Sequence, residues 1–204
     1  MKKILAVMFC MAMVLGVITP GFSGDAKTVD VSADVPSTTA LTINIAKVTP
    51  GTGGNPDSFV YGQPSVSFGT LTFDPVNFIW ICPFYFAVDV GVDSNQPNWT
   101  VTHAVSPMNA VGSSIVPTPS LDNNINVTFS KVSDPTNPLY LKSWATSNGI
   151  VITAANVAGS YLRVYYGIAT GAPGENAAFG TVPITNAANP NGNYFGQVTF
   201  TLAP

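Results

Sequence analysis

Apolar and polar residues alternate in short runs along most of this 204-residue chain, and turn-forming residues separate the runs. One such run begins at Lys27, where the apolar residues share one parity and the Thr, Asp and Ser residues share the other. A period of two places the apolar side chains on one face of a β-strand. The pattern therefore predicts a half-buried strand over residues 27–35, with Val29, Val31, Ala33 and Val35 on its apolar face.

The same alternation continues after Pro36, which ends the first run. A single glutamate and few basic residues leave little material for amphipathic surface helices, whereas the abundant Val, Thr, Tyr and Phe favour strands. Nine or ten short strands separated by turns predict an all-β fold, an antiparallel two-sheet β-sandwich, with a closed barrel as the alternative. The later predicted strands include residues 41–45, 66–73, 78–92, 99–105, 125–129, 162–168 and 194–202.

Residues 1–26 have the pattern of a secretory signal peptide. A basic start precedes an apolar stretch of roughly 15 residues, and small residues follow it. Cleavage after Ser23 and cleavage after Ala26 both fit the small-x-small rule. The sequence thus predicts a secreted, extracellular chain in which residues 27–204 form a single domain.

No later run is long enough to cross a bilayer. The most apolar one, residues 78–88, is well short of the roughly 18–20 residues that a membrane helix needs, so we expect no membrane span after signal cleavage. Loss of Lys2 and Lys3 leaves five basic against ten acidic residues, a balance of −5 while Asp25 is retained. Such an acidic chain is a poor match for nucleic acid, and we expect no nucleic-acid partner.

Residue types that carry catalysis or bind metals are scarce. His103 is the only histidine, and its parity with Trp99 and Val101 predicts a packed or rim side chain rather than a catalytic base. Cys82 is the only cysteine after the signal peptide, so no intrachain disulfide can form, and we expect a buried, unreactive thiol. Structural zinc needs four ligands, and residues 89–95 lack the ligand pattern of a calcium loop. We predict no enzyme activity, no cofactor and no metal site.

Aromatic side chains are the remaining candidates for a binding site. Trp99, Trp144 and Tyr161 are the residues predicted to contact a glycan in a shallow surface site. On this hypothesis, which is the alternative function, the chain is a cell-surface adhesin, or a module that binds glycan or cell wall as a monomer.

Four segments resemble the spore-coat-U-like, archaic chaperone–usher pilin family: "VDVSADVP", "VSFGTLTF", "VYYGIATG" and "GNYFGQVTFTL". The resemblance implies an exported, pilin-like (immunoglobulin-like) sandwich in which the N-terminal strand of one copy completes the sheet of the next. Strand addition uses main-chain hydrogen bonds for affinity and alternate side chains for specificity, so the four apolar residues of the first strand are the expected donor residues. The expected function is that of a structural subunit of a filament or coat, with copies of itself or related subunits as partners.

A second resemblance supports the alternative function. Trp99-Thr100-Val101 and the terminal "YFGQVTFTLAP" are similar to the two Trp-x-Leu motifs of bacterial wall-binding surface domains. Here Val101 stands in the position of leucine, and Phe200 stands in the position of the second tryptophan.

Overall fold

The structure, a computed structural model, describes residues 38–171, 176–185 and 189–204, and these residues form an almost entirely β structure. Two short 3-10 turns are the only helical elements among them, η1 (Ala145–Ser147) and η2 (Ala154–Val157). The strands are β1 (Thr39–Thr49), β2 (Ser58–Tyr61), β3 (Thr72–Asp74), β4 (Ile79–Ile81), β5 (Tyr85–Ser94), β6 (Thr100–Val105), β7 (Asn109–Ala110), β8 (Ile125–Lys131), β9 (Tyr140–Ser143), β10 (Ile150–Thr153), β11 (Leu162–Ile168), β12 (Tyr194–Phe195) and β13 (Val198–Ala203).

Two antiparallel sheets form the layers of a sandwich-like fold. The larger sheet has six strands in the order β2-β1-β5-β11-β8-β9, and the smaller has three in the order β10-β6-β13. The two-stranded pairs β3–β4 and β7–β12 supplement these layers. The all-β, sandwich-like fold predicted from the sequence is confirmed, and because one layer has twice as many strands as the other, the smaller covers only part of the larger.

Strand β11 shows how alternation builds the core between the layers. Leu162, Val164 and Tyr166 point inward and are at most 2% exposed. From the smaller sheet, Val101 and Ile152 are buried in the same cluster. Burial of each large aliphatic side chain contributes about 1.5–3 kcal/mol, so this cluster is the main source of stability in a chain whose Cys82 is a free thiol.

A second, smaller hydrophobic cluster lies on the outer face of the six-stranded sheet. Because this cluster covers the outer face and the main core covers the inner face, residues 86–90 of β5 are buried on both faces. The neighbouring strand β1 has an alternating sequence. The cluster consists of the fully buried Ala46, Val48 and Ala87 with Phe59, Tyr85 and Tyr165 packed against them.

Two predicted strands are each divided in the structure. The run over residues 78–92 becomes β4 and β5, with Pro83 between them, because proline has no N–H for a sheet ladder. The run over residues 194–202 becomes β12 and β13, with Gly196 and Gln197 between them. These divisions, together with the unpredicted β7, explain why the described residues contain thirteen strands rather than nine or ten.

Two other predicted strands differ in their outcome. In the run over residues 66–73, only the end, from Thr72, forms a strand. The predicted strand over residues 27–35 lies outside the described residues, and with it Val29, Val31, Ala33 and Val35. Within the described ranges, no helix has both the length and the apolar content needed to cross a membrane.

Candidate functional site

The only histidine lies in the core. His103 is fully buried, with Nδ1 2.8 Å from the Ser147 carbonyl oxygen and Nε2 2.8 Å from the Tyr166 hydroxyl. Phe129 and Phe200 pack edge-on against its ring. Burial lowers the pKa of His103, and the hydrogen bond to Ser147 opposes this only in part. The prediction of a packed histidine is confirmed, and both ring nitrogens are already engaged in structural contacts.

Asp89, the first residue of the stretch 89–95, takes part in a buried ion pair. Arg163 binds Asp89 in a bidentate manner, with Nε 2.5 Å from Oδ1 and Nη2 2.8 Å from Oδ2. Arg163 Nη2 also donates to the Tyr61 hydroxyl at 2.9 Å. Within the part of the chain that the structure describes, no group of three or more His, Cys, Asp or Glu side chains is placed to hold a metal ion.

The three aromatic residues predicted to contact a glycan have different environments. Trp144 is only 2% exposed, and its Nε1 donates to the Ser106 carbonyl at 2.8 Å while its ring packs against Tyr166. This corrects the expectation for Trp144, because an indole buried in the core cannot reach a surface ligand. Trp99 is partly buried against the core and Tyr161 is 42% exposed, and no ring contact joins any two of the three.

The three-stranded sheet is incompletely covered at β13. Among the described residues β13 pairs only with β6, so its other edge is unpaired. Its inward side chains Val198, Phe200 and Leu202 are only partly buried, whereas Val101 and His103 of the adjacent β6 are at most 1% exposed. An unpaired edge presents a row of N–H and C=O groups that can pair with another strand.

The inner face of the six-stranded sheet is also partly uncovered, at β1 and β2. Ile43 of β1 is 44% exposed and Val60 of β2 is 55% exposed, although Val90, which pairs with Ile43 from β5, is 1% exposed. Because only residues 144–149 connect β9 to β10, the β10 edge of the smaller sheet lies on the β9 side and the β13 edge is turned toward β5 and β1. An uncovered strip therefore follows β13 between the layers.

A cavity of about 720 Å³ opens into the core between residues 65–71 and residues 189–196. Its lining includes the core side chains Leu121, Ile168 and Ile184. The volume lies within the about 300–1,000 Å³ that is typical of ligand sites. Gln197 alone separates residues 189–196 from β13, and no residue of β13 lines the cavity. We call the cavity together with the uncovered strip along β13 the open groove.

Residues 65–71 form one wall of the open groove, and most of them lie in the run predicted to be a strand without forming one. Val66, Phe68 and Leu71 are partly buried against the core. The Cys82 thiol donates to the Phe68 carbonyl at 3.8 Å, but no backbone–backbone hydrogen bond involves residues 64–71 within the described ranges. Burial raises the pKa of the partly buried Cys82 thiol. This wall thus offers backbone groups that another strand can satisfy.

Sequence patterns predicted strands in both walls of the open groove, but they did not predict the groove. Whether a neighbouring strand covers an apolar face depends on pairing between segments that are distant in the sequence. The usable signal is the stretch of Asn, Pro and Gly over residues 189–193, which indicates an irregular rim rather than a strand.

No known protein family matches the chain, and no curated protein matches it.

Proposed function

We propose that the chain is an exported structural subunit of a cell-surface filament or coat, and that its open groove accepts the N-terminal strand of a second copy. The observation that carries the proposal is β13, which has one unpaired edge and inward side chains that remain partly exposed. The predicted strand over residues 27–35 has the complementary pattern, because its small apolar residues all share one parity.

The dimensions of donor and groove support the proposal. At about 3.3 Å per residue, nine residues extend about 30 Å, whereas the six residues of β13 extend about 20 Å. The donor is therefore long enough to follow the whole edge of β13 and to continue beside residues 65–71. Its main chain would hydrogen-bond with β13, and alternate side chains would enter the groove.

The position of β1 favours donation to another copy. β1 begins at Thr39, which pairs with Ser94 at one end of the six-stranded sheet. The cavity lies at the other end, beside Ile168, where β11 ends. A donor strand of a second copy that enters the cavity part of the groove therefore joins copies head to tail, and a heterologous contact of this kind builds an open filament unless the rotation closes a ring.

Two versions of the chain test the proposal, one starting at Lys27 and one starting at Pro36. We expect the longer version to polymerise in size-exclusion chromatography and the shorter version to be a less stable monomer. Addition of a peptide with residues 27–35 should stabilise the shorter version, since a net gain of only about 2 kcal/mol raises the melting temperature of a domain this size by about 4–8 °C.

Matched peptides separate groove binding from general association. Val31→Asp places a charge on the inserted face and should abolish the stabilisation, whereas Ser32→Asp places it on the opposite face and should leave most of it. Equal stabilisation by both peptides, or a longer version that stays monomeric at all concentrations, would contradict the proposal. Retention of that monomer on a glycan array would support the alternative, adhesin function.

A further inference from the structure

A second, smaller cavity lies on the outer face of the six-stranded sheet. Its volume is about 260 Å³. Sites for drug-sized ligands begin at about 300 Å³, so this cavity fits a smaller ligand, of a single ring. Three adjacent strands line it with residues of one parity, which therefore share a face of the sheet: Tyr85 from β5, Tyr165 and Gly167 from β11, and Asn126 and Thr128 from β8. We call this cavity the outer pocket.

The absence of a side chain at Gly167 creates the floor of the outer pocket. A Cβ at this position would meet only the Cβ of Tyr85, at 3.5 Å, which is ordinary van der Waals contact. The backbone conformation of Gly167 is also one that other residues adopt, because its φ is not positive. Glycine is thus not required here by the fold, yet it lies within β11, as its last but one residue, where a side chain would normally pack.

Two tyrosine rings form an aromatic wall that is fixed without a ligand. The rings of Tyr85 and Tyr165 pack edge to face with centroids 5.8 Å apart. The hydroxyl of Tyr85 donates to the Asp57 carboxylate, and Tyr165 packs into the outer hydrophobic cluster. Because these contacts hold both rings, a ligand need not order them on binding.

Neutral polar groups on β8 complete the outer pocket. The side-chain carbonyl of Asn126 accepts from the Thr181 hydroxyl at 2.5 Å, which fixes the orientation of the amide. The Asn126 amide nitrogen has two N–H donors, and one is directed to the side-chain oxygen Oδ1 of Asn176 at 3.5 Å. The Thr128 hydroxyl makes no hydrogen bond among the described residues. A ligand can therefore use one amide donor and one hydroxyl group beside the aromatic wall.

None of the residues that line the outer pocket is charged at neutral pH. Burial raises the pKa of both Tyr85 and Cys82, so these two lining groups stay protonated. Three charged groups adjoin the lining, and each is engaged by the protein. Lys47 Nζ lies 3.8 Å from the centre of the Phe84 ring, Arg163 beside Tyr165 binds Asp89, and Asp57 accepts from the Tyr85 hydroxyl. These surroundings disfavour an ionic ligand and favour one that combines an apolar face with hydroxyl groups.

We propose that the outer pocket binds one ring of a neutral saccharide, with the C–H face of the ring against Tyr165 and its hydroxyl groups toward Asn126 and Thr128. This site goes beyond the proposed assembly function, because it uses the sheet face opposite to the main core. It also differs from the predicted glycan contacts, since Trp99, Trp144 and Tyr161 do not line it.

Titration of the chain from Lys27 to Pro204 with glucose, galactose, mannose and N-acetylglucosamine tests this site. Amide shifts of Asn126 and Gly167 in two-dimensional NMR spectra report binding, and we expect a Kd on the order of 1 mM for at least one sugar. Gly167→Val fills the floor and should weaken binding at least about tenfold. Thr128→Val keeps the shape of the side chain without its hydroxyl, and should weaken binding severalfold.

Val151→Ala is the matched control, because this exposed valine of β10 belongs to the smaller sheet and lies outside the outer pocket. Binding should be unchanged in this variant, and all variants should keep the dispersed spectrum of the folded chain. Binding that survives Gly167→Val in a folded protein would overturn the proposal. The proposal is also overturned if none of the four sugars shifts these amides.

Discussion

The buried histidine predicts a specific pH dependence of stability. His103 is held neutral in the folded state by burial among aromatic rings, while its hydrogen bonds to Ser147 and Tyr166 satisfy both ring nitrogens. Its pKa is therefore below the ordinary value of 6.5 that it regains on unfolding. Between these two pKa values the unfolded chain binds a proton that the folded chain does not. Stability is thus complete above pH 6.5 and falls as the pH drops below it.

The size of this effect follows from proton linkage. Each pH unit between the two pKa values costs about 1.4 kcal/mol. From pH 7.5 to pH 5.5 the free energy of unfolding should therefore fall by at most about 1.4 kcal/mol, the limit reached when the folded chain takes up no proton in this range. Carboxylates with ordinary pKa values of about 4 contribute little in this window. Since the chain has one histidine, the change can be assigned to His103.

Urea denaturation at pH 7.5, 6.5 and 5.5 measures the effect. His103→Gln is the control, because it removes the titrating group and keeps an amide that can hydrogen-bond. We expect this variant to be less stable at every pH, by about 1–3 kcal/mol for imperfect pairing, and to show no pH dependence over this range. An equal loss of stability on acidification in the variant and in the natural chain would refute the reasoning.

Two further substitutions test the packing. Asp89→Ala removes one partner of a buried ion pair and leaves the Arg163 charge uncompensated, so thermal or urea unfolding should show a loss of stability of about 3–5 kcal/mol. The control Asp93→Ala, on the exposed part of the same strand, should cost less than about 0.5 kcal/mol. Gly196→Ala places a Cβ 3.0 Å from the buried Trp144 ring, and we expect a loss of about 1–3 kcal/mol in the same measurement, with a loss near zero contradicting the close packing there.

Alternation within a strand was a reliable guide wherever one face meets the core. The inward set Leu162, Val164, Tyr166 and Ile168 of β11 was predicted correctly, and all four are buried. The same rule placed His103 on an inward face. These predictions succeeded because side-chain direction in a strand is a local property of the backbone.

Features that depend on packing between distant segments were not predictable in this way. Trp144 follows β9 and turns inward at η1, where Ser106 supplies the acceptor for its indole N–H, and no local pattern indicates that contact. Residues 66–71 belong to a predicted strand, but a strand needs a neighbour, and the described residues supply none. The outer pocket depends on Gly167 lying beside Tyr85, which belongs to a strand about eighty residues earlier in the sequence.

Hydrogen exchange along β13 is the most direct test of strand acceptance. In the version that starts at Pro36, the amides of Val198–Ala203 that do not pair with β6 face solvent at an open edge and should exchange quickly. Addition of the peptide with residues 27–35 should slow these amides at least about tenfold, while those of the other edge strand, β10, should not change. Unchanged exchange along β13 in the presence of a peptide that binds would contradict the account, because the strand would then have inserted elsewhere.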